Sequence, residues 1–199
     1  MGAYLDAPKT EKEISKGSNE IASWGACEMQ GWRVNMEDAH IASKIDLPNG
    51  EKGMVFGVFD GHGGKEVAVF AADKYVNILK NLADFKNQNY ANALTQSFYD
   101  LDESVSNEEY AMDTGCTSNV VLITPTKIFC ANAGDSRSIL VKGENNAVVE
   151  LSKDHKPGNP EEEARINAAG HFVSDDRVDG NLALSRAFGD FQYKDQKNK

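Results

Sequence analysis

Met54-Val55-Phe56-Gly57-Val58-Phe59 is a run of apolar residues and glycine that stops abruptly at Asp60-Gly61-His62-Gly63-Gly64. A run with no polar member has no face to give to water, so it predicts a strand buried on both sides. Beyond the glycines, Val67, Phe70, Ala71, Tyr75, Ile78, Leu79 and Leu82 recur at the spacing of a helix with one apolar face. The chain must therefore be arranged around a buried strand that feeds a helix through a turn holding a carboxylate, an imidazole and three glycines.

Shorter strand-like pieces precede this unit, from Trp24 to Met29 and from His40 to Ile45. A second helix is expected where Leu94, Phe98, Leu101 and Val105 fall three or four residues apart. Asn119 to Thr124, Lys127 to Ala133 and Arg137 to Val141 predict a meander of consecutive strands, turning at Pro125-Thr126 and at Gly134-Asp135-Ser136. Asn159-Pro160-Glu161-Glu162-Glu163 predicts a helix start, with Asn159 as side-chain cap and acids against the positive end of the dipole, and Gly170 predicts its end. Residues 1–20 are polar and lack periodicity, so they are expected to form a flexible N-terminal arm, with the domain occupying residues 21–199. Strands in runs, a helix pair and more strands indicate an α+β, layered architecture rather than a doubly wound parallel sheet.

A length of 199 residues suits one domain, and 21 Lys and Arg against 31 Asp and Glu leave a net charge of −10. That balance lacks the basic footprint a polyphosphate backbone requires, so no nucleic-acid partner is expected. Cys27, Cys116 and Cys130 contain no Cys-x-x-Cys pair, which excludes a disulfide framework and a zinc knuckle and fits a reducing compartment, the cytoplasm or the nucleus. No transmembrane segment and no signal peptide can be read. Met1-Gly2 opens the chain as an N-myristoylation site would, but Asp6 stands where serine or threonine belongs.

Asp60-Gly61-His62-Gly63-Gly64 can be read as a turn in which Asp60 caps the following helix. It can also be read as a hard-metal site: Asp60 offers carboxylate oxygens, Gly61 lets a backbone carbonyl approach a cation, and His62 stands beside it able to move a proton. Upstream, Gly31-Trp32-Arg33-Val34-Asn35-Met36-Glu37-Asp38-Ala39-His40 adds a guanidinium suited to phosphate oxygens and two carboxylates suited to orienting water. Asp135, followed by Arg137, ends a later strand.

Five blocks stand in one order: Gln30-Gly31-Trp32-Arg33 with Met36-Glu37-Asp38-Ala39-His40; Phe56 to Gly64; Gly134-Asp135-Ser136-Arg137; Asp154-His155-Lys156-Pro157; and Ala183-Leu184-Ser185-Arg186-Ala187-Phe188-Gly189-Asp190. Together they resemble the signature blocks of the metal-dependent protein phosphatases of type 2C. The resemblance implies a four-layer α-β-β-α sandwich of two antiparallel sheets flanked by helices. It also implies hydrolysis of phosphoserine and phosphothreonine in proteins with two Mg²⁺ or Mn²⁺ ions, by a monomer. Carried over residue by residue, it makes Asp60 a bridge between both ions and Gly61 a carbonyl ligand. Glu37 and Asp38 hold metal-bound water, Arg33 binds the substrate phosphate, His62 protonates the leaving oxygen, and Asp135 serves a weaker third ion.

The sequence departs from that pattern at Cys116, in a turn that is usually Ser-Gly-Ser-Thr-like. It departs again at the C-terminal side, where the family continues to further metal-binding aspartates, so the resemblance implies an incomplete domain of reduced activity. The alternative is a catalytically deficient, phosphatase-like binding module or fragment. Two rival enzymatic or ligand sites are weaker. Cys27 and Arg33 have the Cys-x5-Arg spacing of thiol phosphatases, but the intervening residues are bulky and include Glu28, which repels phosphate. Asp175 to Gly180 resembles the start of a calcium loop, yet its third position is Arg177 and its twelfth is Arg186.

Overall fold

The computed structural model describes residues 4–143 and 145–194, so Gly2 and its lipidation motif lie outside the described residues. Strands β1 (Tyr4–Lys9), β2 (Glu13–Ser18), β3 (Ser23–Glu28), β4 (Gly31–Arg33), β5 (Ala39–Asp46), β6 (Lys52–Phe59) and β7 (Gly61–His62) lead into helices α1 (Glu66–Asn81), α2 (Ala83–Lys86) and α3 (Tyr90–Val105). Then come β8 (Gly115–Cys116), β9 (Ser118–Ile123), β10 (Ile128–Ala133), β11 (Ile139–Lys142) and β12 (Ala147–Glu150). Helix α4 (Pro160–Ala168) and the short strands β13 (Val173–Ser174), β14 (Arg177–Val178) and β15 (Phe188–Gly189) follow.

The central sheet has the order β10-β9-β6-β5 and is antiparallel throughout. Alternation along β6 sends Val55 and Phe59 to one face, where neither is exposed. There they meet α1, with the Phe59 and Tyr75 rings 6.3 Å apart, and α3 joins through Phe98, 5.9 Å from Tyr75. Each such ring or branched side chain taken from water contributes roughly 1.5–3 kcal/mol, which makes this helix-on-sheet layer the main source of cohesion. A buried hydrogen bond from Ser97 Oγ to Tyr75 O at 2.9 Å satisfies the phenol inside that layer.

On the other face of β6, Trp24 of the β2–β3 hairpin meets Phe56 edge-on at 6.5 Å. The expectation of burial on both sides holds for Met54 but not for Val58, which is 47 % exposed. Val58 and Phe56 instead line a groove of about 480 Å³ with Trp24, Glu28 and His40. The helices thus pack as a layer on the four-stranded sheet, and the α+β class with antiparallel sheets is as expected.

Three expectations are corrected. The supposed arm is built from strands: β2 pairs with β3 from Glu13↔Glu28 to Ser18↔Ser23, and β1 pairs with β4 at Tyr4↔Arg33 and Lys9↔Gly31. Side chains there are mostly exposed, Ile14 by 72 %, so backbone ladders rather than burial hold them, and a hydrophobic pattern carries no trace of that. The meander stops after β10, because the turn at Gly134, with φ +109, diverts the chain and β11 pairs with β12. At α4, Pro160 begins the helix as expected, but Asn159 makes no side-chain cap; its Nδ2 donates to the Asp154 carbonyl at 2.8 Å.

Candidate metal and phosphate site

Asp60 lies between β6 and β7, at the end of the most deeply packed strand. It does not cap a helix, since α1 begins only at Glu66, and the simple-turn reading therefore falls. Thr117, itself almost fully buried, fixes the Asp60 backbone from both sides. Its Oγ1 accepts the Asp60 N–H at 3.0 Å and its own N–H donates to the Asp60 carbonyl at 2.9 Å. Ser136 Oγ sits 2.6 Å from the same Thr117 hydroxyl, which ties the Gly134-Asp135-Ser136 turn to Asp60. Gly61 is packed against the segment before β5 so closely that a Cβ there would collide with the Glu37 carbonyl oxygen. That backbone approach requires glycine.

Carboxylates from three parts of the chain converge on this point. Burial raises the Asp60 carboxyl above the ordinary range, and the charges of Asp38 and Asp135 push it further. Burial also raises Asp38, whose carboxyl shares a hydrogen bond with Asp60. Like charges held together in a half-buried place are unfavourable until a cation or a proton joins them. Glu37 borders the cluster, and its Oε2 accepts from Arg33 Nη2 at 3.1 Å while the guanidinium stays exposed. An all-oxygen donor set, a backbone cradle and the two carboxylates of Asp38 and Asp60 sharing a hydrogen bond fit a hard divalent cation. Among the described residues, however, no three His, Cys, Asp or Glu side chains converge tightly enough to enclose a metal ion by themselves.

The sequence-predicted residues divide accordingly. Asp38 and Asp135 each act on Asp60, Glu37 and Gly61 touch through the backbone, and Arg33 joins through Glu37. Asp135 already has a cation, Lys156 Nζ at 2.9 Å. His62 turns toward Asp190, with Nε2 2.7 Å from Oδ2. Sequence reasoning gave no role to Asp190, Thr117 or Lys156. The signals lay in the quoted blocks: Asp190 follows a glycine and Lys156 follows a histidine, but neither spacing says which distant side chain it meets.

Neither rival site forms among the described residues. Cys27 stands in the extended ladder of β3 opposite Ile14, with no loop of amides wrapped toward an anion. In the supposed calcium loop, Asp179 accepts instead from His171 Nδ1 at 2.7 Å and from the Phe172 N–H at 3.2 Å.

Comparisons with known proteins identify the family. The family model described as protein phosphatase 2C matches residues 22–199. A protein named protein phosphatase 2C 1 from Paramecium tetraurelia is 47 % identical over 207 residues, covering 98 % of this chain and 67 % of its own. Protein phosphatase 2C homolog 3 from Schizosaccharomyces pombe is 46 % identical over 198 residues, and there the chain spans 47 % of the relative. Among solved structures, the serine-threonine phosphatase 2C from Toxoplasma gondii superposes with a TM-score of 0.68 at 19 % identity, covering 96 % of this chain and 72 % of that one, a likeness of fold. The carboxylate cluster at the end of β6, the exposed guanidinium beside it and the match along nearly the whole sequence lead to one conclusion: the chain belongs to the protein phosphatase 2C family, a family of serine/threonine protein phosphatases.

Proposed function

We propose that this chain hydrolyses phosphoserine and phosphothreonine in protein substrates with the help of Mg²⁺ or Mn²⁺ held at Asp60. The observation that carries this reading is the Asp60 carboxyl, raised by desolvation and by the charges of Asp38 and Asp135, at a strand end whose backbone is fixed by Thr117. Asp60, the Gly61 carbonyl, Glu37 and Asp38 would hold the ions, directly or through water, and Asp135 a weaker one once Lys156 yields it. Such ions supply Lewis acidity, lowering the pKa of water toward neutrality so that hydroxide is available.

The chain's own residues do the rest. Arg33 binds phosphate oxygens through paired N–H donors. Its resting partner is Glu37, and an exposed pair of that kind is worth only about 0–1 kcal/mol, so it gives way readily to a dianion. Serine and threonine alkoxides are poor leaving groups, and the ester oxygen needs a proton as its bond to phosphorus breaks. His62, two residues from Asp60, is the imidazole assigned to that proton transfer, a role supported by its nearness in sequence to the carboxylate.

The test is hydrolysis of phosphoserine and phosphothreonine peptides by the purified protein. Activity is expected to vanish with chelator, return with Mn²⁺ and be lost in Asp60→Asn. Turnover that persists in chelator would sink the metal reading. Retained phosphopeptide binding without turnover at saturating Mn²⁺ would select the binding-module alternative.

A further inference from the structure

The reaction proposed above needs His62 in one orientation, and the inference that follows rests on that reading. We propose that Asp190 is a positioning residue for His62: its carboxylate accepts the Nε2–H of the imidazole and fixes the ring plane and tautomer, leaving Nδ1 as the ring nitrogen without a partner of its own.

The pair joins residues far apart in sequence through a small sheet of order β15-β8-β7. In it His62 lies opposite Gly115, and Gly115 lies opposite Gly189 on its other side. Gly115 has no side chain, and a Cβ there would collide with Asp190 Oδ2, so the carboxylate reaches His62 through space that only glycine leaves open. The Asp190 side chain is 4 % exposed and Nε2 lies 2.7 Å away. A carboxylate so deeply buried must be met by a donor, and the imidazole N–H meets it. Which nitrogen of a histidine carries the proton follows from the hydrogen bond that the other makes, so this contact assigns the tautomer. Nδ1 is buried with no hydrogen-bond partner among the described residues.

The backbone around Asp190 is held as an orienting group requires. Asp190 has φ 54 and ψ 39, a left-handed conformation that is strained for a residue with a Cβ and persists only where surroundings impose it. Three contacts impose it. The Asp190 N–H donates to the Thr114 carbonyl at 2.9 Å. The Gly189 N–H donates to Asp102 Oδ1 of α3 at 3.0 Å. Lys194 Nζ closes the turn, 2.8 Å from both Asp102 oxygens and from the Ala187 carbonyl.

The test uses the near-isosteric Asp190→Asn variant in the purified protein with Mn²⁺, alone and combined with His62→Gln. With a phosphoserine peptide, kcat is expected to fall about ten- to a hundredfold with KM unchanged. With p-nitrophenyl phosphate, whose leaving group scarcely needs a proton, the fall should be under about threefold. In the His62→Gln background, Asp190→Asn should cost nothing further. Equal losses on both substrates, or the same loss with and without His62, would show that Asp190 supports the fold or the metal site instead. Imidazole ¹⁵N spectra of histidine-labelled protein add a readout free of turnover: neutral His62 should be the Nε2–H tautomer, and that population should drop in Asp190→Asn. An Nδ1–H tautomer in the parent protein would overturn the proposal. Absence of turnover in the parent would count against the activity alone, and the tautomer would still decide the role of Asp190.

Discussion

Arg186 donates from Nη2 and Nε to the two carboxylate oxygens of Glu162 at 2.6 and 3.0 Å, tying the segment that precedes β15 to helix α4. Ser185 Oγ and Arg165 Nη2 donate to the same carboxylate at 2.7 and 3.0 Å, and Glu162 is 3 % exposed. Burial alone would raise this carboxyl, but the three donors outweigh it and hold it at about 2 against an ordinary 4.5. A carboxyl lowered by folding stabilises the protein above its unfolded value and loses that contribution as pH falls through its folded value. Glu162→Gln is therefore expected to cost roughly 2–4 kcal/mol at neutral pH, because Arg186 loses its charged partner. The gap between variant and parent in urea unfolding should close as pH drops from about 4.5 toward 2. A gap that does not change with pH would mean that packing, not charge, accounts for the loss.

The carboxylates at the end of β6 have the opposite sign. Asp60 is raised by burial first and then by Asp38 and Asp135, so the metal-free protein is favoured while Asp60 is protonated and loses stability as pH rises through its normal and then its raised range. Asp60→Asn is expected to leave the metal-free protein at pH 7 at least as stable as the parent, the gain being small because solvent screens the exposed carboxylate, while removing Mn²⁺ binding. Thermal unfolding in chelator, with a parallel Mn²⁺ titration, measures both. A lower Tm in Asp60→Asn would mean that its carboxylate is already satisfied within the chain.

What the sequence disclosed and what it hid separate on physical grounds. Burial leaves a pattern, so β6, α1 and α3 were legible from Val55, Phe59, Tyr75 and Leu101. The ladders of β1 and β2 are backbone contacts between exposed residues, and no side-chain period marks them. At the site, Asp60-Gly61-His62 and Arg33 declared themselves because their chemistry is unusual at that density. Asp190 did not, since its role depends on a gap at Gly115 and on a left-handed turn, both set by strand pairing across the chain. The third-ion expectation at Asp135 met Lys156, a partner visible only in three dimensions.

The geometry of Cys27 and Arg33 gives a clear contrast between two phosphatase chemistries. Cys27 is exposed in a β ladder, while Arg33 reaches Glu37 at the edge of the carboxylate cluster. Cys27→Ser is expected to keep kcat and KM within about twofold, whereas Arg33→Ala should raise KM for phosphopeptides about tenfold or more by removing a bidentate charged contact. Steady-state kinetics on one phosphoserine peptide settles it. Loss of activity in Cys27→Ser would establish a thiol nucleophile and overturn the metal reading.

Gly61→Ala tests whether the cation cradle depends on backbone approach. An added Cβ would collide with the Glu37 carbonyl oxygen and lie 3.1 Å from both the Glu37 carbonyl carbon and the Gly64 oxygen. All three are backbone atoms and cannot swing aside like a side-chain tip, so the segment carrying Glu37 and Asp38 must move away from Asp60. Overpacking of this kind costs about 1–3 kcal/mol. Gly25→Ala is the matched control, since its Cβ would meet only the Ser15 carbonyl oxygen at 3.9 Å. It should change stability by less than about 0.5 kcal/mol. Thermal unfolding paired with calorimetric Mn²⁺ titration is expected to show Gly61→Ala folded but destabilised, with Mn²⁺ affinity down at least about tenfold, and Gly25→Ala unchanged in both. Parent-like Mn²⁺ binding by a folded Gly61→Ala protein would remove Gly61 and the Glu37 segment from the cradle, because the displacement their contact enforces would then leave the ion undisturbed.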